Sequence, residues 1–252
     1  MKYLMSNSYF QFKQFTIQQD QCAMKVTTDA CLFGAWVAEE VRSRDPIAIG
    51  SGVRSSLDIG TGTGLLSLML AQKNPKVEII GVEIDEDAQK QAKENINASP
   101  WKERIAVLEG DVKDHDFPEK FDLIISNPPF YEKELRSESK KKNLAHHSEN
   151  LTLEELLVII KKYLNANGLF FLLLPYKRND EVKKLLKDNE LNISRILFVR
   201  QSLTHDYFRI FIKGNLNVEE KETGFDELSI WDDKQHYTNE FVRLLKDYYL
   251  HL

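Results

Sequence analysis

The stretch Asp58-Ile59-Gly60-Thr61-Gly62-Thr63-Gly64 decides the fold. It leaves a short apolar run at 55–59 and enters the helical pattern of Leu65-Leu66-Ser67-Leu68, so three alternating glycines sit at a strand-to-helix junction. Glycine suits that place because the backbone must turn tightly and lie against a ligand with no Cβ in the way. A cofactor containing a nucleoside is implied.

Downstream of the junction, short apolar runs alternate with helical segments, the pattern of parallel βα units. Strands are expected at 55–59, 78–82, 105–109, 121–126, 168–174, 193–200 and 207–213, with helices near 64–73, 86–98, 152–164 and 179–189. Only Gln201 to Asp206 separate the last two strands, too few residues for a parallel crossover, so these two should pair antiparallel. Upstream, Phe10, Phe12, Phe15 and Ile17 mark extended structure. Leu32, Phe33, Trp36 and Val37 recur at helical spacing over 30–41, with Asp29 or Thr28 as the N-cap. Pro46, Gly50 and Gly52 place a joint at 44–54. A final helix carries Phe241, Leu244, Leu245, Tyr248 and Tyr249 on one stripe. The chain is thus expected to divide into an N-terminal extension at 1–43, a core domain at 55–216 and an acidic C-terminal segment with its helix at 217–252.

Composition narrows the class. A chain of 252 residues with 42% hydrophobic content can bury one substantial core. No apolar stretch approaches the roughly 20 residues a membrane helix requires. The N-terminus runs through Lys2, Ser6, Asn7, Gln11 and Lys13 without the apolar region of a secretory signal, so a cytoplasmic location is expected. Cys22 and Cys31 form no CxxC pair and no Cys/His cluster, which points to buried thiols rather than a disulfide or a metal site. The net charge of −5 resides in 217–252, where nine acidic side chains face four basic ones; 1–216 holds 30 of each. A local basic face for nucleic acid therefore stays open.

Two more acids stand at strand ends. Glu83 closes the second strand in Gly81-Val82-Glu83-Ile84-Asp85, where a carboxylate can accept both hydroxyls of a ribose. Gly110-Asp111-Val112 follows the third strand and sets Asp111 to receive an adenine amino group. With Asp58 they make three acids at successive strand ends, and carboxyl ends are where open α/β sheets bind ligands. A nicotinamide dehydrogenase uses similar parts, but its fingerprint is GxGxxG, and the glycines here alternate as GxGxG.

GxGxG preceded by Asp58 and followed by Glu83 and Asp111 resembles the class I S-adenosylmethionine-dependent methyltransferases. The resemblance implies an α/β, Rossmann-like fold: a seven-stranded, mostly parallel sheet with an antiparallel last strand pair, preceded by the N-terminal extension. It also implies that Gly60, Gly62 and Gly64 cradle the methionine portion of S-adenosylmethionine, that Glu83 holds the ribose, and that Asp111 and Val112 meet the adenine.

The fourth strand ends in Ser126-Asn127-Pro128-Pro129-Phe130. An aromatic amine is a poor nucleophile, because its lone pair is delocalised into the ring; an enzyme must orient it while charge develops on nitrogen. The Asn127 side-chain oxygen and the Pro128 carbonyl can each accept one of its N–H bonds, Phe130 can stack on the base, and the consecutive prolines stiffen the turn. The tetrapeptide fits the amino-methyltransferase signature in which Asp, Asn or Ser precedes two prolines and an aromatic residue. No strong general base is evident, and none is needed if water takes the proton after transfer.

Several amino-methylating groups share that signature, and the N-terminal segment discriminates among them. Phe12-Lys13-Gln14-Phe15-Thr16-Ile17, Gln21-Cys22-Ala23-Met24-Lys25-Val26-Thr27-Thr28-Asp29-Ala30 and Leu32-Phe33-Gly34-Ala35-Trp36 closely resemble the tRNA adenine-N6 methyltransferases that modify the purine beside the anticodon of valine tRNA. The resemblance implies a tRNA substrate and brings Lys25 and Thr28 toward the methionine end of the cofactor. Thr27 and Ala30 stand where that family pattern has glycines.

Residues 131–150 make a long connection beside the acceptor corner, with Lys133, Arg136, Lys140, Lys141, Lys142, His146 and His147 as candidates to grip RNA phosphates. Arg178 and Arg200, near later strand ends, are weaker candidates. Methylation of guanine N2 in rRNA or of a protein glutamine remains the alternative within the enzyme class, with a non-catalytic scaffold outside it. The oligomeric state is not disclosed by the sequence.

Overall fold

In a computed structural model describing residues 7–22, 24–43, 52–129, 151–217 and 222–252, the apolar runs flanking the glycine loop are strands of one sheet. A hairpin of β1 (Tyr9–Gln11) and β2 (Thr16–Gln18) precedes helix α1 (Thr28–Arg42). Then follow β3 (Ser55–Ile59), α2 (Leu65–Lys73), β4 (Glu78–Glu83), α3 (Glu86–Asn97), β5 (Ile105–Glu109) and β6 (Phe121–Ser126). The chain continues through α4 (Leu153–Tyr163), β7 (Leu164–Pro175), α5 (Asn179–Asp188), β8 (Asn192–Ser202), β9 (Tyr207–Asn215), β10 (Gly224–Trp231) and α6 (Asn239–Leu245).

The main sheet has the order β10-β8-β9-β7-β6-β3-β4-β5. Strands β5, β4, β3, β6 and β7 are parallel, and β9 runs antiparallel between β7 and β8. The sheet therefore has eight strands where seven were expected. The addition is β10, which pairs parallel with β8 from Gly224↔Arg195 to Trp231↔Ser202. Its alternation is masked by acids: Leu228 and Ile230 are buried, while Asp226 takes a 2.5 Å hydrogen bond from Arg195, which also binds Glu40 at 2.7 Å.

Three boundaries also differ. The N-cap of α1 is Thr27, whose hydroxyl accepts the Ala30 N–H at 3.4 Å, so the threonine in place of a family glycine starts the helix one residue earlier than Thr28 and two earlier than Asp29 would. Strand β7 begins at Leu164 rather than 168, because pairing jumps from Phe121↔Leu164 to Leu123↔Leu169 across a bulge. Tyr248 and Tyr249 lie beyond the end of α6; the Tyr248 hydroxyl donates to Met69 O at 3.0 Å and Tyr249 bridges to Phe12.

Hydrophobic side chains fill both faces of the sheet. One cluster joins α1, α2, α3 and α6 to one face through residues such as Trp36, Met69, Ile96, Phe171, Phe211 and Phe241. The other joins α4 and α5 to the opposite face through Leu57, Leu156, Ile160, Phe170, Val182 and Ile210. Among the described residues no helix is long and apolar enough to cross a membrane, and no group of three or more His, Cys, Asp and Glu side chains is arranged to hold a metal ion.

Candidate active site

The loop from β3 to α2 places Gly60, Gly62 and Gly64 at φ of +72°, +54° and +82°, the left-handed region that side chains disfavour. A Cβ at Gly60 or Gly62 would meet nothing within 4 Å, so both glycines face open space. A Cβ at Gly64 would meet Ile96 at 3.5 Å and Ala92 at 3.7 Å. The first two glycines thus leave room for a ligand, and the third lets α3 approach the loop.

Asp58 anchors this loop from beneath. Its buried Oδ2 accepts hydroxyl hydrogen bonds from Thr61 and Ser67, both 2.7 Å, while its equally buried Oδ1 has no partner. Burial pushes its carboxyl up to about 6, two hydroxyl bonds restrain that rise, and the charge of Glu83 adds to it. An unsatisfied buried acceptor of this kind is a position for a donor that the free protein does not supply.

Glu83 ends β4 beside the loop. Its carboxylate accepts the Gly62 N–H at 2.8 Å and the Asp85 N–H at 3.0 Å. Each oxygen keeps a further lone pair for a hydroxyl. The Gly110 N–H donates to Glu83 O at 2.9 Å, tying the end of β5 to that of β4. Asp111 accepts the Lys113 N–H at 2.9 Å and pairs with the Lys113 ammonium at 3.3 Å; Val112 is buried.

Sequence reasoning overlooked several participants. Ile84, between two acids at the end of β4, is 53% exposed and presents an open apolar face beside Glu83. Asn95 of α3 is buried and holds three groups at once: its Oδ1 accepts Gln18 N–H at 2.8 Å, and its Nδ2 donates to Gln18 O at 3.0 Å and to Thr63 O at 2.9 Å. Gln91 one turn earlier accepts the Gln21 N–H at 3.1 Å and donates to Asp20 at 2.6 Å. These bonds fasten the N-terminal segment to the glycine loop. Half-buried Cys22 accordingly sits close to the acids: its thiol is pushed up to about 11 by burial first, then by Glu83, Asp85 and Asp20. The visible signal for the clamp was polar side chains at 91 and 95, on the same helical face as Ala88, Ala92 and Ile96.

At the end of β6, the buried Ser126 hydroxyl donates to Ile59 O at 2.8 Å, locking the corner to the strand that feeds the glycine loop. Asn127 follows, and its Oδ1 is buried without a hydrogen-bond partner among the described residues. Pro128 is buried and Pro129 exposed. Glycine loop and corner therefore issue from adjacent strands, each presenting an unsatisfied buried acceptor.

The Lys25 ammonium donates to Asn7 O at 3.4 Å, and Thr28 is the first residue of α1. Arg178 is engaged twice by Glu181, at 2.8 and 2.7 Å, and Arg200 by Ser229 at 2.8 Å and Glu227 at 3.1 Å. Phe130, Lys133, Arg136, Lys140, Lys141, Lys142, His146 and His147 lie outside the described residues.

Residues 50–185 match the family model described as Methyltransferase small domain. Over 251 residues, 98% of this chain and 100% of the relative, the sequence is 39% identical to a tRNA1(Val) (adenine(37)-N6)-methyltransferase of Bacteroides thetaiotaomicron. Over 246 residues, 97% of this chain and 98% of the relative, it is 39% identical to the protein so named in Dyadobacter fermentans. The chain belongs to this methyltransferase family.

Solved structures agree at the level of fold. The methyltransferase superposes on a predicted O-methyltransferase from Agrobacterium tumefaciens with a TM-score of 0.63 and 15% identity, covering 87% of this chain and 96% of the other. It superposes on the methyltransferase subunit of a type I restriction-modification system from Streptococcus thermophilus with a TM-score of 0.60 and 17% identity, covering 90% and 52%. S-adenosylmethionine is the cofactor of this enzyme. The residues present fit it: open space over two left-handed glycines, a buried anionic acceptor, and a second acid at the next strand end.

Proposed function

We infer that this methyltransferase transfers the methyl group of S-adenosylmethionine to the exocyclic N6 amine of adenine 37 in tRNA1(Val). The observation that carries the reading is the unpartnered, buried Oδ1 of Asn127, one strand away from the glycine loop. An acceptor left unsatisfied in the free fold is destabilising by itself, about 1–3 kcal/mol, and a substrate amine removes that deficit.

In this reading Gly60, Gly62 and Gly64 leave room for the methionine portion, and Asp58 Oδ1 accepts from its amino group. Glu83 takes the ribose hydroxyls. Asp111 receives the adenine amine, with Val112 and Ile84 as apolar faces for the ring. When bound, the cofactor supplies an electrophilic methyl group on a sulfonium. Asn127 and the Pro128 carbonyl hold the two amine hydrogens of the target base, which turns the nitrogen lone pair toward that methyl group; Pro129 stiffens the corner and Phe130 stacks on the base. Positive charge then develops on a nitrogen whose N–H groups already face fixed acceptors, so little reorganisation is required. The proton leaves to water afterwards.

Lys133, Arg136, Lys140, Lys141 and Lys142 are proposed to meet RNA phosphates, with the cytoplasm as the place of work. The partition into extension, core and C-terminal segment is retained as the working domain scheme. The test is incubation with labelled S-adenosylmethionine and unmodified tRNA1(Val), followed by nuclease digestion and mass mapping. N6-methyladenosine at position 37 is expected. N2-methylguanosine, methylated glutamine in a protein substrate, or no nucleoside product would overturn the reading.

A further inference from the structure

A run of aromatic rings crosses the part of the sheet beyond β7, and nothing in the transfer reaction employs it. Tyr176, the first residue after β7, stands next to the Asn127 corner in the strand order, because β7 pairs with β6. Its ring centroid lies 5.3 Å from that of Tyr207 at the start of β9; Tyr207 lies 5.3 Å from Phe198 on β8; Phe198 stacks at 6.2 Å and 9° on Phe225 of β10. Tyr176 is 36% and Phe225 59% exposed. Helix α5 buries Val182 and Leu186 in the cluster containing Ile196 and Ile210; Phe198 packs partly against that cluster and Tyr207 is half-buried, while Tyr176 and Phe225 present open faces.

Cations accompany the rings. The Arg200 guanidinium sits 5.3 Å from the Tyr207 centroid, and the Lys183 ammonium 5.7 Å from that of Phe225. The run ends beside a cleft that Lys183 and Lys187 help to line.

We propose that this aromatic track is the surface on which unpaired bases flanking the methylated adenine dock. It rests on the reading of RNA as substrate, and adds where the rest of the strand lies. Three arguments favour RNA as the occupant. The track begins at the end of β7, the strand that pairs with the one ending in the Asn127 corner. Its chemistry is flat π-faces with lysine and arginine over them, the combination that binds single-stranded nucleic acid. Drawing the target base out of its stack also leaves its neighbours unstacked, and rings beginning one strand away offset that loss. The roles of Arg178 and Arg200 change accordingly: their charges are matched within the protein, and Arg200 acts by flanking a ring.

The test uses Tyr176→Ala and Phe225→Ala in the full chain, with steady-state methylation of unmodified tRNA1(Val) and calorimetric binding of S-adenosylmethionine. Each variant is expected to raise the KM for tRNA about tenfold, the scale of one lost base–ring stack, with kcat and cofactor affinity within about twofold. Phe225→Trp is expected to restore the KM, which a merely structural role would not require. If wild-type protein methylates the tRNA and both alanine variants keep its KM, the track does not dock RNA and the proposal fails. If wild-type protein yields no N6-methyladenosine, the substrate reading itself fails and takes the proposal with it.

Discussion

Replacing Asn127 by alanine should leave the fold as stable as before while disabling catalysis, a combination that few other roles would produce. In the free protein the Asn127 Oδ1 is buried and accepts nothing, so its removal relieves an unsatisfied acceptor worth about 1–3 kcal/mol. The small void left by the amide costs about 1–2 kcal/mol in return, from about 24 cal/mol per Å³ of residual cavity. The two terms nearly cancel. Because 1 kcal/mol moves the Tm of a chain this long by about 2–4 °C, the Tm should stay within about 4 °C of wild type. Catalysis has no such compensation. A hydrogen bond to a group that is becoming charged is worth about 1.5–3 kcal/mol, and losing the orientation of the lone pair adds to it, so kcat should fall by about 10²–10³-fold. The KM for S-adenosylmethionine should hold within about threefold, because the Asp58 and Glu83 partners are untouched. Asn127→Asp keeps an acceptor in place and should retain more turnover than alanine. Scintillation counting of methylated tRNA and a melting curve decide the matter. A kcat within threefold of wild type would refute the assigned role, and a Tm drop beyond about 10 °C would show the side chain to be structural.

Other substitutions probe the cofactor side. Burial pushes the Asp58 carboxyl up to about 6 in the fold, above the ordinary value of 3.8, so it favours the folded state below the unfolded pKa and loses that contribution as pH rises through about 6. Cofactor affinity has the opposite sign: protonating Asp58 removes the anionic acceptor, so the calorimetric Kd for S-adenosylmethionine should weaken as pH falls through about 6, and a flat profile would contradict the placement of Oδ1. Gly62→Ala puts a Cβ into open space at φ +54°, at a backbone cost of about 1–2 kcal/mol, and should weaken cofactor binding by about tenfold or more; unchanged affinity would mean the space is not used. Asn95→Asp keeps the bond from Gln18 N–H but turns a carboxylate on the carbonyls of Gln18 and Thr63, and should lower the Tm by about 5–10 °C and weaken the cofactor; a wild-type Tm would show the clamp to be dispensable.

What was legible in the sequence follows from how local each signal is. The strands ending at Ile59, Glu83, Glu109 and Ser126 announce themselves as short apolar runs closed by glycine, acid or proline, and all four form within a residue of expectation. The glycine loop is legible because a left-handed backbone can be anticipated from residue type alone. Strand β10 was not, since half of its side chains point outward and its charge at Asp226 is neutralised by Arg195, 31 residues away in sequence. Neither was the exposed face of Ile84, because exposure of an apolar residue is a property of the assembled surface. The N-cap of α1 shows the same limit at small scale: Thr27, Thr28 and Asp29 are all competent caps, and Asp29 is taken instead by Arg209 at 2.7 Å, a residue 180 positions away in sequence.

The strand order explains why donor and acceptor meet where they do. From β3 the chain moves outward through β4 and β5, then returns to place β6 on the other side of β3. The loops leaving β3 and β6 therefore depart in opposite senses and open a crevice at the switch point, the place where such sheets take ligands. Paired strands lie about 4.8 Å apart, and a methyl transfer needs its reacting atoms about 3–3.5 Å apart. Adjacent strands are thus the arrangement that lets one loop hold the donor and the next hold the amine without either chain reaching far. Ile59 and Ser126 are register partners, and the Ser126 hydroxyl closes on Ile59 O at the last rung before both loops begin. That rung sets the strand-end separation from which the Gly60–Gly64 loop and Asn127 depart, so on the proposed reading the spacing of donor and acceptor begins from sheet geometry.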